Sequence, residues 1–406
     1  MIALNAKQKK FIKQSAPFLL GRYRDWKMAS QYGDDFWNTR ISKVVRLVDD
    51  LENNPYDKIR PRDYNAYPKQ SRHAIIEINN TCNLNCAMCQ TMSATRKRGR
   101  MEIDLFKETL EKLVSDGINN VALHTLGDPL ANPRLPEIFA ELRRYGVTTS
   151  ICTNGLLLDR HVDTLLEYMD ICPSIAFSVD GATKETYERI RIGGKFETLL
   201  EQLEISNQRL RPKGMTVKIH CTLSKDNLHE VGLFIETFRK YVPYPALDIS
   251  FGVITGLAPD NTYFESVNPF PNHTHRNLMC WRPKGDPLWV NIDGTVSACC
   301  RDYHGELIIG NIKDSTYREL QESEGLHALQ KAHESGDLSA YPPCDTCFRP
   351  DKRLDEIVNA VLQHAVYMAP DESRDFYQSV ADDMVSILRS NGNYAEKIEE
   401  LTKRAA

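Results

Sequence analysis

No apolar run in the 406-residue sequence approaches the length of a membrane span. The longest apolar stretch near the N-terminus, Ala16 to Leu20, is interrupted by Pro17 and is too short and badly flanked for a secretion signal. Strong charge of either sign is also missing: 51 Lys and Arg against 55 Asp and Glu leave a net charge of −4. That balance gives bulk nucleic-acid binding no electrostatic support. No internal repeat or low-complexity tract is present, which excludes a repeat architecture. These absences predict a cytoplasmic globular chain with no transmembrane segment, in a reducing compartment where disulfides do not form.

What the sequence has in excess is cysteine, eleven in all, and the cysteines cluster. Cys82, Cys86 and Cys89 form a C-x3-C-x2-C loop just after the largely apolar run Ala74–Ile78. Three thiolates on one short loop suit three irons of a [4Fe–4S] cluster. No fourth cysteine follows nearby, so one iron is left open to a ligand. Structural zinc takes four protein ligands; this loop offers three, with no His close behind it. A second set comprises Cys280, Cys299, Cys344 and Cys347, the last two as a C-x2-C pair. Spacing alone lets these four hold either zinc or an iron–sulfur cluster. Between Cys280 and Cys299, alternation around Asp293-Gly294 predicts a hairpin over Trp289–Ser297. Cys299 shares a strand face with Ser297, while Cys300 faces the other way and stands as a substitute ligand.

The rest of the chain sets these loops in order. Residues 1–70 read as a helical extension, divided at Pro17, then a linker over Asn53–Pro68; its basic amphipathic residues fit helices packed on the body of the protein. Residues 71–265 alternate short β-branched or apolar runs with helix-length amphipathic segments. The runs are Ala74–Ile78, Asn120–Leu126, Val147–Thr153, Ser174–Val179, Val217–Leu223 and Leu247–Val253, and the segments are 104–116, 135–145, 160–169, 196–210 and 227–241. Six such units predict an α/β fold with a parallel sheet, too short for a closed eight-stranded barrel. Chemistry in such folds gathers at the C-terminal strand ends, where the first cysteine loop falls. Residues 266–350 carry the hairpin and the second cysteine set, and 351–406 read as a helical tail with apolar spacing at Ile357, Val361, Leu362, Met384, Ile387 and Leu388.

With these motifs in place, the chain resembles the radical S-adenosylmethionine (radical SAM) superfamily across roughly residues 74–350. The resemblance implies a partial (β/α)6 TIM-like barrel with a small C-terminal β-hairpin and helix extension of the SPASM/Twitch kind and helical additions at both ends. It implies that Cys82, Cys86 and Cys89 hold the [4Fe–4S] cluster that binds S-adenosylmethionine. Leu126-Gly127-Asp128-Pro129 looks like the family's Gly-Gly-Glu-Pro turn, which binds the cofactor's amino group; Leu126 replaces the first Gly and Asp128 the Glu. Asn154 ends strand three in the family manner. Ser178 and Asp180 match the ribose-binding end of strand four, and Met88 takes the place often held by an aromatic residue over the adenine. Cys280, Cys299, Cys344 and Cys347 are implied as ligands of one auxiliary [4Fe–4S] cluster, since no further cysteine follows Cys347. The chemistry implied is reductive cleavage of S-adenosylmethionine to a 5′-deoxyadenosyl radical that abstracts a substrate hydrogen.

On the substrate side, Cys221 in the fifth strand is a candidate hydrogen donor for epimerisation, set against a buried apolar thiol. Arg191, with Arg189, is a candidate holder of a substrate carboxylate or hydroxyl, set against a solvated helix end. His124 and His220 lie in strands, and Arg96, Lys97, Arg98 and Arg100 read as an exposed basic loop. The function expected is oxidation, epimerisation or rearrangement of a small polar metabolite (a sugar, aminocyclitol or nucleotide-like molecule), with an electron donor such as flavodoxin or ferredoxin. The alternatives are a maturase acting on a ribosomally made peptide and a non-enzymatic iron–sulfur redox or binding protein.

Overall fold

The computed structural model describes residues 33–53, 73–255, 262–276, 280, 282–285, 287–351, 353–390 and 393–404. The expected helix break at Pro17 and most of the Asn53–Pro68 linker lie outside them. The first described element is α1 (Asp34–Asn53).

Six parallel strands follow: β1 (His73–Ile76), β2 (Asn120–Ala122), β3 (Thr148–Thr153), β4 (Ser174–Ser178), β5 (Thr216–Leu223) and β6 (Ile249–Val253). They pair in chain order, every neighbour parallel. Each expected run supplies one strand. β2 is shorter than its apolar run because the chain leaves the ladder after Ala122 and turns at Gly127, whose φ is 75°. A Cβ at Gly127 would lie 2.6 Å from the Thr81 carbonyl oxygen, so this turn closes directly on the cysteine loop.

The crossovers carry α2 (Ile103–Ser115), α3 (Leu135–Tyr145), α4 (Val162–Glu167), α5 (Lys184–Ile190), α6 (Phe196–Ile205) and α7 (Val231–Phe238). In α3, Leu135, Ile138, Phe139 and Leu142 bury one helical stripe, and left-handed Gly146 ends the helix. The strands show the matching two-residue period. In β5, Val217, Ile219, Cys221 and Leu223 are buried against the helices, whereas Lys218, His220 and Thr222 keep solvent contact. The inner face of the sheet therefore opens on a cleft.

Beyond β6 come β7 (Thr274–Arg276), β8 (Trp289–Val290), β9 (Thr295–Ser297), β10 (Ile308–Asn311) and β11 (Phe348–Pro350). The expected hairpin is β8–β9, and it joins the main sheet: β8 pairs in parallel with β1, giving nine strands ordered β10-β9-β8-β1-β2-β3-β4-β5-β6. β7 and β11 pair separately, Arg276 opposite Phe348, which brings the Cys280 and Cys347 ends of their segments together.

The C-terminal helices are α8 (Glu324–Ser335), α9 (Arg353–Met368), α10 (Arg374–Arg389) and α11 (Tyr394–Arg404). α9 covers the otherwise unpaired edge of β6. Asp355 accepts from Val253 N (2.7 Å), Asn359 accepts from Phe251 N (2.7 Å) and also donates to the Phe251 carbonyl, and Gln363 donates to the Ile249 carbonyl (2.6 Å). Residues four apart on a helix share a face, so one stripe of polar side chains substitutes for a seventh strand. α1 packs outside α9, with Trp37 stacked on Tyr367 at 5.0 Å.

Candidate active site

The first cysteine loop leaves β1 through Glu77, which is fully buried. A buried carboxylate needs a partner. Arg96 supplies it with two parallel bonds of 2.7 and 2.8 Å, folding the far arm of the loop back over the strand end. Arg96 is thus a structural clamp and not the exposed basic residue expected. Asn80 tightens the same loop by accepting from Gly99 N (2.8 Å) and donating to the Lys97 carbonyl (2.9 Å).

Donors point at the sulfurs on this loop. Cys82 Sγ accepts from Leu84 N (3.4 Å) and Asn154 Nδ2 (3.7 Å), and Cys86 Sγ accepts from Arg191 Nη1 (3.6 Å). Burial pushes the Cys82 thiol up to about 11 despite the Leu84 N–H, and pushes Cys86 up against the pull of Arg191. Donors aimed at sulfur on a loop of three cysteines suit thiolates held by iron.

Asp128 lies at the turn after β2 with its carboxylate engaged inside the protein. It accepts from Leu130 N (2.9 Å), from Thr153 Oγ1 (2.9 Å to each oxygen) and from Asn154 N (2.7 Å), so it latches this turn to the end of β3. Burial raises its pKa against those donors. The Leu126 side chain is buried, and its N–H points to Glu77 at 3.4 Å. Ser178 faces the cleft beside Cys152 at 3.4 Å. Met88 lies against the small apolar group Ile254, Phe264 and Val267.

Asp180 and Arg191 form the other buried pair. Asp180 accepts from Thr222 N (2.7 Å) and sits 2.6 Å from Arg191 Nη2. Burial disfavours the Arg191 charge, but Asp180 and Cys86 outweigh it and raise its pKa. Arg191 therefore joins the fourth strand end to the cysteine loop; it is not a solvated helix end. The Cys221 expectation is corrected: its side chain is on the helix face of β5, within the core and 3.7 Å from Asn227 Nδ2, because odd-numbered residues of β5 point away from the cleft. His220 takes the inward position. It bonds Ser250 at 2.9 Å and lies over Gly252, where an added Cβ would meet its ring at 3.1 Å. Asp355 approaches the same point and is reached by solvent.

The second cysteine set also converges. Cys280, Cys299, Cys344 and Cys347 line one small cavity with Arg282 and Arg301. Cys300 does not line it, so Cys299 is the residue of the pair that the cavity presents. Arg301 N donates to Cys299 Sγ (3.4 Å) and Arg301 Nη1 to Cys347 Sγ (3.8 Å). Among the described residues, no three Cys, His, Asp or Glu side chains gather tightly enough for a single metal ion. Four sulfurs spread around a cavity fit a polynuclear cluster better than one zinc ion, whose sulfurs lie about 2.3 Å from one point. The two cysteine groups abut. Thr95 of the first loop bonds His304 Nδ1 through its N–H (3.3 Å) and hydroxyl (3.0 Å).

Parallel strands with a three-cysteine loop at their carboxyl ends, and a four-cysteine cavity beside it, define a two-cluster partial barrel. Residues 76–238 match the model of the radical SAM superfamily and residues 280–348 that of the SPASM iron–sulfur cluster-binding domain. The chain thus carries a radical SAM domain followed by a SPASM-type cluster domain. These domains imply an S-adenosylmethionine-binding [4Fe–4S] cluster, auxiliary iron–sulfur binding and S-adenosylmethionine itself. The AdoMet-dependent heme synthase of Methanosarcina barkeri is 30% identical over 48% of this chain and 53% of its own. The GTP 3′,8-cyclase of Chlorobaculum tepidum is 26% identical over 41% of this chain and 49% of its own. The chain spans about half the length of the curated relatives it matches. The structure of anSMEcpe with bound AdoMet and a peptide shares the fold at a TM-score of 0.50 and 16% identity, covering 76% of this chain and 99% of that one.

Sequence reasoning missed Glu77, Arg301 and Asp355. A single acid closing an apolar strand was the available signal for Glu77. The side chains of the other two had none, since their partners, Cys347 for Arg301 and Val253 for Asp355, are remote in the chain.

Proposed function

We propose that this protein cleaves S-adenosylmethionine reductively and turns the product on a small polar metabolite. When bound, the reduced cluster and S-adenosylmethionine supply a 5′-deoxyadenosyl radical that takes hydrogen from carbon. Cys82, Cys86 and Cys89 hold the cluster and leave one iron open. Arg191, Asn154 and the Leu84 N–H support the charge on two of those sulfurs. The Glu77–Arg96 pair fixes the loop that bears them. Ser178, on the cleft face of β4, is a candidate ribose contact, whereas the buried Asp180 carboxylate is taken up by Arg191 and Thr222 N.

The observation that carries the reading is the set of sulfur-directed donors converging on a three-cysteine loop at the carboxyl ends of parallel strands. A small polar substrate is supported by the cleft's inner face, where Ser178, His220, Thr222 and Ser250 alternate with outward apolar residues. The test is anaerobic loading with iron and sulfide, then S-adenosylmethionine and a strong reductant, with 5′-deoxyadenosine measured. About eight irons per chain are expected for two clusters of the usual type, with 5′-deoxyadenosine formed by the intact protein and none by the variant with Cys82, Cys86 and Cys89 changed to Ala. Full clusters without cleavage would reject the reading.

A further inference from the structure

The surroundings of the two cysteine groups differ in charge. Around the first loop, the one guanidinium bonded to a sulfur, Arg191 on Cys86, is itself paired with buried Asp180, and buried Asp128 shares Asn154 with Cys82. Around the second, Arg282 and Arg301 line the cavity, and no Asp or Glu is among its lining residues. Arg301 is bonded to two of the four sulfurs, through its backbone N–H to Cys299 and its side chain to Cys347. Arg282 lines the same cavity beside Cys280 and Cys299. The potential of an iron–sulfur cluster follows the net charge around it and the hydrogen bonds to its sulfurs. Positive charge and N–H donors stabilise the more negative, reduced state; nearby carboxylates do the reverse.

We propose that Arg282 and Arg301 set the reduction potential of a cluster held by Cys280, Cys299, Cys344 and Cys347, placing it above the potential of the cluster on the first loop. The inference rests on the radical SAM reading above and narrows it, because a high-potential neighbour serves an oxidation and has no use in a redox-neutral isomerisation. Converting an alcohol carbon to a carbonyl removes two electrons and two protons. One hydrogen atom leaves whole, taken by the 5′-deoxyadenosyl radical; the remaining electron needs an acceptor, for which the auxiliary cluster is the chemical class, and the remaining proton needs a base. Asp355 is placed for that proton: it is reached by solvent, and its Oδ1 lies 3.9 Å from the point over Gly252 where an added Cβ would meet His220.

The test is a redox titration of the iron-loaded full chain followed by electron paramagnetic resonance. The variant with Cys82, Cys86 and Cys89 changed to Ala identifies the auxiliary signal. In the wild type the auxiliary midpoint is expected above the first. In Arg301→Gln and in Arg282→Gln, the oxidised-to-reduced ratio of the auxiliary signal at fixed ambient potential should rise about tenfold, equivalent to about 59 mV for one electron, with the first signal unmoved. Arg301→Lys keeps the charge and should recover part of the shift, which a merely structural arginine would not show. An auxiliary midpoint unmoved in both Gln variants, or lying at or below the first in the wild type, overturns the inference. Should one Gln variant lose iron, the other variant and the wild-type order still decide it. Loaded clusters and S-adenosylmethionine cleavage with the potentials in the wrong order, or no iron at the four cysteines, would sink this inference alone; loaded clusters without any S-adenosylmethionine cleavage would sink the reading beneath it as well.

Discussion

Glu77 bears a charge at the base of the cysteine loop with no solvent around it, and the position of the whole loop depends on Arg96 answering that charge. Removing one partner of a buried ion pair leaves the other uncompensated, at a cost of about 3–5 kcal/mol. Glu77→Ala is expected to lose that much stability in urea unfolding of the iron-loaded chain, and the double change of Glu77 and Arg96 to Met should lose clearly less. Cys221 makes the opposite case. A thiol in the fifth strand reads as a hydrogen donor until its face is known, and one residue of register decides the face. Cys221→Ala should leave 5′-deoxyadenosine formation unchanged while costing on the order of 1 kcal/mol for the small cavity left behind. A loss of turnover with intact stability would return Cys221 to the active site. Arg191 was legible as important but not in its role, since nothing local to residues 189–194 announces Asp180 or Cys86 as its partners.

At the scale of elements, the decisive one is α9. An open barrel has two edges, and an unpaired edge is a template for aggregation. β8–β10 extend the sheet beyond β1, while Asp355, Asn359 and Gln363 occupy the backbone of β6. Asn359→Leu strands both the N–H and the carbonyl of Phe251, each buried group costing about 1–3 kcal/mol when unsatisfied. Hydrogen exchange at the Phe251 amide should quicken strongly in that variant, with amides of β3 unchanged; equal protection in both proteins would show that the helix only rests on the strand. The apolar spacing of Ile357, Val361 and Leu362 marked this segment as part of a helical tail, and in α9 those residues are buried. The role of its polar stripe was not legible, because the sequence of a helix does not say whether its polar side meets water or a strand edge.

At the scale of the whole molecule, one large core runs through the barrel, the hairpin and the C-terminal helices; Cys82, Cys86 and Cys89 lie outside it, and Cys299 and Cys344 only pack against its edge. The iron-free chain should therefore stay folded. Far-UV circular dichroism and thermal unfolding after chelation are expected to keep the helical signal and the main cooperative transition; collapse of both would make the clusters structural supports, as in zinc fingers. The sequence by itself determined the six βα units, the hairpin and both cysteine groups, because strand and helix periods and thiol spacing are local patterns that survive in one dimension. Only the tertiary structure decided which strand face meets the cleft, what Arg96, Arg191 and Arg301 pair with, and how the β6 edge is closed. Those outcomes depend on partners as far as 114 residues away, and a buried charge acquires its meaning from the one group that compensates it.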